Sequence, residues 1–315
     1  MLRFVIRRLA MLAVSLLVSS FAIFAALYVA PGNPISVLSG GRALPPSSVR
    51  ILEQRYHLNQ PFLIRYWDWL TGALHGDLGL SIQLRENVAD LIRARAGTTA
   101  ELVAYAAVII LVAGIGLGLL GALRPGPVDT GTLLVTTVLA ALPSFVAAVF
   151  LITIFAVDLN WFPALGNGSG ALDQIRHLTL PAIALATSSL SLVARVTRAA
   201  LREEMGREHV QTAISRGIPA HLVIRRHVLR NAAIPITTVS GLTIASLIAL
   251  AAVVEQAFSL NGLGAYLVQS AASKDFAVVQ AISLLLVAAF VIANACVDLL
   301  YALLDPRIAI GSRAA

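Results

Sequence analysis

The stretch Thr212–Leu229, TAISRGIPAHLVIRRHVL, places arginines, histidines, a glycine and a proline between two of the most apolar parts of the chain. Apolar runs of about 20 residues are long enough to cross a bilayer as helices. Charged side chains are costly inside hydrocarbon, so they collect where a chain returns to water. The stretch therefore predicts a water-facing loop between two membrane helices.

The composition of the whole chain is typical of a membrane protein. Hydrophobic residues make up 58% of the 315 residues, charged residues only 12%, and the mean hydropathy is +0.85. A soluble domain typically carries about 25% charged residues. The net charge of +7 would suggest nucleic-acid binding in a soluble protein. In this chain the arginines are expected to set the topology and to meet a protein partner, and no nucleic acid is expected.

Hydropathy predicts an all-α integral membrane protein with six transmembrane helices. The first span is expected to be retained rather than cleaved as a signal peptide, because its apolar region is too long. The sequence APGNP at residues 30–34 resembles a helix stop. The six spans lie at about residues 9–29, 98–123, 132–157, 178–196, 234–254 and 278–303.

Basic residues set the predicted orientation. With both termini in the cytoplasm, the inside segments carry 14 basic and five acidic residues, against nine basic and ten acidic residues outside. The positive-inside bias favours this arrangement. The predicted organisation is a cytoplasmic tip and first span (1–30), an extracytoplasmic segment (31–96), a transmembrane core (97–304) with an inner loop at 198–232, and a cytoplasmic tail (305–315).

The extracytoplasmic segment is longer than an ordinary connection between membrane helices. PPSSVRILEQRYHL at residues 45–58 and the stretch at residues 67–97 predict short amphipathic helices separated by turns. Tyr66, Trp67 and Trp69 are expected to anchor this segment at the membrane interface, where aromatic side chains are enriched.

The inner loop predicts a helix–turn–helix elbow. Residues 198–216 are expected to continue the helix out of span four, and Gly217 ends it because glycine tolerates the left-handed conformation. Pro219 suits the first turn of a second, short helix at residues 219–230. Two interpretations of this elbow stay open from the residues alone. It can be an interfacial helix pair on anionic headgroups, or a plug that fits a socket on a soluble partner.

The loop resembles that of ABC importer permeases, which reads Glu-Ala-Ala, three residues, Gly, nine residues, then Ile-x-Leu-Pro. Here residues 211–213 read Gln-Thr-Ala, Gly217 holds the glycine position, and residues 227–230 read His-Val-Leu-Arg. The peptide-importer branch is more similar, since it has Tyr-Val-x-Thr-Ala-x-Ala-Lys-Gly and Arg-His-Val-Leu-x-Asn-Ala. This chain has HVQTAISRG at 209–217 and RHVLRNA at 226–232.

Further matches run along the chain: APGNP at 30–34, HGDLG at 75–79, GLG at 262–264 and DPR at 305–307. The whole chain resembles the first of the two permease subunits of dipeptide and oligopeptide ABC importers. Importers of nickel and other small ligands use the same branch. The resemblance implies the type I ABC importer permease fold, with an extracytoplasmic insertion after helix 1 and a cytoplasmic coupling helix between helices 4 and 5.

The resemblance also implies the partners and the location. The partners are a second homologous permease subunit, two ABC ATPase subunits, an extracytoplasmic substrate-binding protein and membrane lipid. The location is the inner membrane of a bacterial cell. Peptides are the expected cargo, with nickel, haem or another small ligand as alternatives.

Coupling to the ATPase is assigned by the resemblance to the turn of the elbow and its flanks. Small side chains there would allow close approach of a partner, and arginines would pair with partner acids. The residues are Thr212, Ala213, Arg216, Gly217, Ile218, Pro219, His221, Arg225 and Arg226.

The sequence contains no pattern for its own catalysis. The only lysine, Lys274, follows a serine, so the phosphate-binding pattern G-x-x-x-x-G-K-[ST] is missing, as are H-E-x-x-H and G-x-S-x-G. The single cysteine, Cys296, lies in an apolar run and is expected to be a buried thiol. The chain is therefore expected to be a non-catalytic subunit without cofactor or metal, with ATP and Mg bound by the partner ATPase subunits.

Polar residues and a proline inside the predicted spans are candidates for the path or a gate. The proline is expected to kink span three. The serines either line the path or bond to their own backbone. The aspartate makes a structural contact or relays protons. The candidates are Pro143, Ser188, Ser191, Asn294 and Asp298.

Two rivals of other classes remain at this stage. A gradient-driven secondary transporter predicts internal repeats and broken helices with intramembrane charges. A lipid-binding scaffold predicts an inner loop that only rests on headgroups. In any of the three classes, Gly114, Gly118 and Gly121 predict a small-residue face for close helix packing.

Overall fold

The computed structural model of the chain describes residues 2–29 and 60–304, together with the isolated positions 45, 47 and 50. These residues form helices and one isolated bridge, Leu80 to Asn87, so the predicted all-α class is confirmed for the described part. The helices are α1 (Leu2–Val29), α2 (Phe62–Leu74), α3 (Val88–Leu123), α4 (Pro127–Ala141), α5 (Ser144–Asp158), α6 (Ala171–Met205), α7 (Glu208–Ser215), α8 (Ala220–Ala257), α9 (Leu263–Ala272) and α10 (Phe276–Leu304).

Five of these helices are long and apolar enough to cross a membrane, namely α1, α3, α6, α8 and α10. Helices α4 and α5 pass the same test as a pair bent by 101°. Asp129 in α4 contacts the last part of α6, whereas Asn167 beyond α5 contacts Thr98 near the start of α3. The bent pair therefore carries the chain from one end of the bundle to the other, and counted as one span it makes the sixth of the predicted crossings.

The bundle has two chemically different ends. We call the end that carries α7 the basic end, and the end that carries α2 and α9 the turn end. Arg8 of α1 forms an ion pair with Asp298 of α10. The start of the first crossing and the end of the last crossing therefore lie together. Because α10 starts directly after α9 at the turn end, its other end lies at the basic end. Which end faces the cytoplasm stays a prediction.

Helix α6 is the centre of the bundle and the most buried of the crossings. Its apolar side chains Leu185 and Val193 share one core with Leu102 of α3 and Leu247 of α8. Close approach of α3 depends on glycine: a Cβ at Gly118 would lie 2.5 Å from the Thr197 side chain and 2.7 Å from the Ala194 carbonyl oxygen. The prediction of a small-residue packing face is confirmed.

Helix ends differ from the predicted spans. Helix α3 begins at Val88, so residues 88–97 are its first turns and the prediction of a separate short helix there is wrong. Helices α6 and α8 also run beyond the apolar runs. Hydropathy detects only the lipid-facing part, whereas residues such as Arg and Glu have high helix propensity and continue a helix into water. Cys296 is exposed in this chain, not buried as expected. The APGNP and DPR motifs, and all of the predicted helix at 45–58 except positions 45, 47 and 50, fall outside the residues that the structure describes.

Candidate coupling site at the basic end

The elbow at the basic end begins with a break after α6. Gly206 and Arg207 separate α6 from α7, and Arg207 has an extended conformation (φ −73°, ψ 148°). The prediction of one continuous helix from span four to residue 216 is therefore wrong. Glycine has low helix propensity, which makes this position an easy place to end a helix. The eight-residue helix α7 results as a separate unit.

The turn after α7 depends on Gly217, as predicted. Gly217 has φ +72°, a left-handed conformation, and its N–H donates to the Ile214 carbonyl oxygen at 2.9 Å. Pro219 is extended (φ −54°, ψ 137°) and immediately precedes α8. The prediction of a second short helix is wrong, because Ala220–Ala257 is one continuous helix that contains a π-helical turn at Ile224–Val228.

A buried carboxylate fixes α7 to the bundle. Glu204, at the end of α6, is 5% exposed. Its oxygens lie 3.0 Å from Arg207 Nε and 3.2 Å from His209 Nε2, and accept from Asn231 Nδ2 at 2.9 Å. A buried charge is stable only when it is paired and hydrogen-bonded. Glu204 therefore joins α6, the start of α7 and α8 at a single point, which we call the Glu204 hub.

An apolar cluster completes this attachment. Val210 and Ala213 of α7 pack with Leu201 of α6 and Val223 of α8. Ala213 is buried in this cluster, so it faces its own bundle and lies away from the exposed side of α7. Its small side chain lets α7 lie close against α6 and α8.

The opposite side of the elbow is exposed. Arg216, Arg225 and Arg226 have no acid within salt-bridge distance among the described residues. Ile214 is also exposed, although sequence reasoning did not single it out. Of the predicted coupling residues, Ile218 is half-buried, Ala213 is buried, and the exposed ones are Thr212, Arg216, Gly217, Pro219, His221, Arg225 and Arg226.

A second cluster joins three crossings at the basic end. Asp129 of α4 accepts from Arg198 Nε at 2.5 Å and from Arg202 Nη2 at 2.7 Å. Arg202 also donates to the Gly121 carbonyl oxygen at 3.1 Å. The ends of α3, α4 and α6 are thereby tied together beside the elbow.

The candidate path residues are engaged within the chain. Pro143 stands at the 101° bend, so the predicted kink is confirmed, and Leu142 before it is extended as a residue preceding proline tends to be. The Ser191 hydroxyl donates to the Ser188 carbonyl oxygen at 2.7 Å. Asn294 Nδ2 donates to Phe290, and Asp298 pairs with Arg8. A role for these residues in the path or a gate stays a prediction.

Two buried carboxylates hold the turn end together, and their donors are hydroxyls and backbone N–H groups. Glu255 of α8 is completely buried, accepts from the Thr99 hydroxyl at 2.7 Å and from the Ala265 N–H at 2.9 Å. A Cβ at Gly262 would collide with this carboxylate. Asp275 accepts from Ser81 Oγ at 2.5 Å and from two backbone N–H groups.

Tyr266 of α9 lies near Asp275. Its burial raises the pKa of the phenol above the ordinary 10.0, and the Arg95 guanidinium, 4.0 Å from the ring centroid, opposes that shift. Among the described residues, no group of three His, Cys, Asp or Glu side chains is placed to hold a metal ion.

The sequence and fold are similar to those of known membrane transport components. Residues 110–310 match the family model of the binding-protein-dependent transport system inner membrane component, and residues 1–103 match the model of the N-terminal part of such membrane components. A solved chain of the MetNI methionine ABC transporter, in an inward-facing form, has a similar fold. The TM-score is 0.55 at 16% identity, and the match covers 68% of this chain and 96% of that one.

Relatives match over nearly their whole length. An oligopeptide transport system permease protein of Bacillus subtilis is 33% identical over 315 residues, which cover 98% of this chain and 99% of the relative. A glutathione transport system permease protein of Shigella flexneri is 33% identical over 309 residues, with the same two coverages. A dipeptide transport system permease protein of Alkalihalophilus pseudofirmus is 31% identical over 332 residues, again with these coverages.

These matches favour an ABC importer subunit over a gradient-driven transporter or a lipid-binding scaffold. Because the family models together extend over both the N-terminal part and the transmembrane core, the chain belongs to the family of inner-membrane permease components of binding-protein-dependent transport systems.

Proposed function

We propose that this chain is one of two homologous permease subunits of an ATP-driven importer of small peptides. Its full-length relatives are named for oligopeptides, dipeptides and glutathione, which supports a peptide cargo. In this proposal the basic end and both termini face the cytoplasm, as the positive-inside bias favours. The turn end faces outward and receives cargo from an extracytoplasmic binding protein.

The ATP chemistry belongs to the partners in this proposal. Two ATPase subunits bind ATP and Mg, and this chain contributes no catalytic group and no cofactor. The second permease subunit provides the other half of the path. Nickel, haem or another small ligand is the rival cargo, because recognition can reside in the binding protein. Uptake of a labelled dipeptide by the reconstituted importer, competed by unlabelled peptide but not by nickel or haem, would support peptide cargo.

One observation carries the coupling role: α7 is exposed on one side and fixed to two crossings on the other. An ATPase subunit that docks on the exposed side would push on a short helix, which transmits force better than a flexible loop. The Glu204 hub and the apolar cluster would pass that push to α6 and α8 together. Exposed arginines such as Arg216 would add only about 0–1 kcal/mol each to docking.

Substitution of Gly217 tests this role. At φ +72° most side chains with a Cβ are strained, by about 1–2 kcal/mol, and a β-branched one most of all, whereas asparagine tolerates this conformation better. Gly217→Val is therefore expected to abolish ATP-driven uptake into vesicles while the subunits remain assembled in the membrane. ATP hydrolysis should continue without transport.

Two matched variants serve as controls. Gly217→Asn places a residue that tolerates the left-handed conformation at the same position and should retain most uptake. Gly206→Ala meets nothing closer than the Glu203 carbonyl oxygen at 3.5 Å, and should behave as the unmodified chain. Normal uptake by Gly217→Val would refute the coupling role.

A further inference from the structure

Helix α2, Phe62–Leu74, lies outside the six crossings and packs on α1 along one face. The Tyr66 hydroxyl is 2.8 Å from Ser20 Oγ, and the rings of Phe62 and Trp69 lie 5.3 Å and 6.2 Å from the ring of Phe24. Tyr66 and Trp69 were expected to anchor at the membrane interface, but this packing directs both toward α1. Of the three predicted anchors, only Trp67 lies on the other side of the helix.

A second face of α2 is apolar and exposed. Leu63, Trp67 and Leu74 are 66%, 62% and 78% exposed. They recur at i, i+4 and i+11, so they form one stripe along the helix. Arg65 and Asp68 lie on a third face, away from this stripe. A helix with an apolar face and a separate charged face is typical of the interface between lipid and water.

The depth of α2 follows from its contacts with α1. The apolar crossing of α1 is Ile6–Val29, and Ser20 lies nine residues before its end. At 1.5 Å per residue this is about 14 Å along the helix axis. Tyr66 therefore reaches α1 well below the end of the crossing. At the same level α1 exposes Val18 and Phe21, so the stripe on α2 continues the apolar surface of α1.

We propose that α2 is embedded in the bilayer leaflet at the turn end, with Leu63, Trp67 and Leu74 among the acyl chains. Arg65 and Asp68 then point toward the headgroups. The occupant of the stripe is lipid because the stripe is continuous with the exposed apolar surface of a crossing helix and carries a tryptophan, which favours the membrane interface. Helix α2 would thus anchor the segment that follows the first crossing.

This inference is independent of the importer function and of the cargo. It requires only that α1 crosses a bilayer. In the proposed orientation, the leaflet concerned is the outer one. The expected depth of the apolar face is about 5–10 Å into the boundary between headgroups and acyl chains.

The three tryptophans of the chain, Trp67, Trp69 and Trp161, make fluorescence the natural test. The full-length chain with Trp69→Phe and Trp161→Phe reports on Trp67 alone, and the chain with Trp67→Phe and Trp161→Phe reports on Trp69. Each is reconstituted into phosphatidylcholine vesicles with bromine atoms high or low in the acyl chains. The same measurement is repeated in the assembly that co-purifies with the chain, after subtraction of the emission from a matched chain with all three tryptophans replaced.

Trp67 is expected to lose about half of its emission to bromines high in the acyl chain and less to bromines near the chain end. Trp69, packed on α1, should lose less than Trp67, and iodide in the water should quench Trp67 weakly. Strong quenching of Trp67 by iodide but not by brominated lipid would overturn the proposal in favour of a water-facing surface. Quenching by neither, or by lipid only in the isolated chain, would overturn it in favour of a protein that covers the stripe.

Discussion

The two ends of the bundle hold their buried carboxylates in different ways. At the turn end, Glu255 and Asp275 accept from short hydroxyls and from backbone N–H groups, which have little freedom to move. At the basic end, Glu204 is held by arginine, histidine and asparagine side chains, and all three of these residues are exposed. The turn end is therefore built as a fixed surface, whereas the contacts of the elbow would allow the movement of α7 that is proposed above.

Backbone conformation shows the same difference. Four non-glycine residues in the described ranges have positive φ, and all of them lie in turns at the turn end: Arg85, Asn160, Ser259 and Lys274. Such conformations cost about 1–3 kcal/mol and persist only where surrounding contacts impose them. At the basic end the positive-φ positions are the glycines Gly126 and Gly217. Strain is thus accepted at the fixed end and avoided at the end that is proposed to move.

Substitution of Glu255 at the turn end is expected to cause the greatest loss of stability. Glu255→Ala leaves the Thr99 hydroxyl and the Ala265 N–H without their acceptor in a buried site. Hydrogen bonds to charged groups contribute about 1.5–3 kcal/mol each, so a loss of about 3–6 kcal/mol is expected. The measurement is the temperature at which the purified chain in detergent loses its monodisperse peak in gel filtration.

The control keeps the shape of the side chain. Glu255→Gln retains one acceptor oxygen and should lose about half as much stability. If Glu255→Ala were as stable as the unmodified chain, the carboxylate would not hold the turn end together.

A smaller loss of stability is expected at the basic end. Glu204→Ala should cost only about 1–2 kcal/mol, because the Arg207 and His209 side chains can be hydrated once released. Coupled uptake into vesicles should nevertheless fall by about tenfold, since about 1.4 kcal/mol of lost coupling corresponds to that factor. The comparison is therefore between uptake and thermal stability, both measured on the same preparation.

The neighbouring acid supplies the control for this prediction. Glu203 is 72% exposed and pairs only with Arg207 among the described residues, so Glu203→Ala should leave both uptake and stability nearly unchanged. Equal losses from Glu203→Ala and Glu204→Ala would mean that burial at the hub is irrelevant to coupling.

Sequence patterns predicted the crossings well and their ends poorly. An apolar run of about 20 residues has few alternatives to a membrane helix, so the six crossings follow from hydropathy alone. The break at Pro143 follows from the missing N–H and the steric effect of proline. The extension of α3 back to Val88 could not be predicted in this way. A change in hydropathy marks where a helix leaves the membrane, but it does not mark where the helix ends.

The elbow shows the same limit. Gly217 was predictable because the left-handed turn is a local property of one residue. The Glu204 hub was not, because Glu204 and Asn231 are 27 residues apart and meet only after α6 and α8 pack together. A single acid in a loop rich in charge gives no local signal, and only its burial in the structure distinguishes it from Glu203 beside it.

A third and weaker effect is expected in the pH dependence of stability at the turn end. Burial raises the pKa of Tyr266 above its ordinary 10.0, and the negative charge of Asp275 acts in the same direction. A group whose pKa is raised by folding stabilises the folded state below its unfolded pKa, and that contribution is lost as pH rises through the folded pKa. The thermal midpoint of the chain should therefore fall as pH increases above about 10, and the midpoint of Tyr266→Phe should fall less over the same range.

A parallel decline of the midpoint in both proteins would show that the phenol does not titrate within the packed turn end. The fixed end would then owe its stability to Glu255 and Asp275 without a contribution from the neutral phenol of Tyr266.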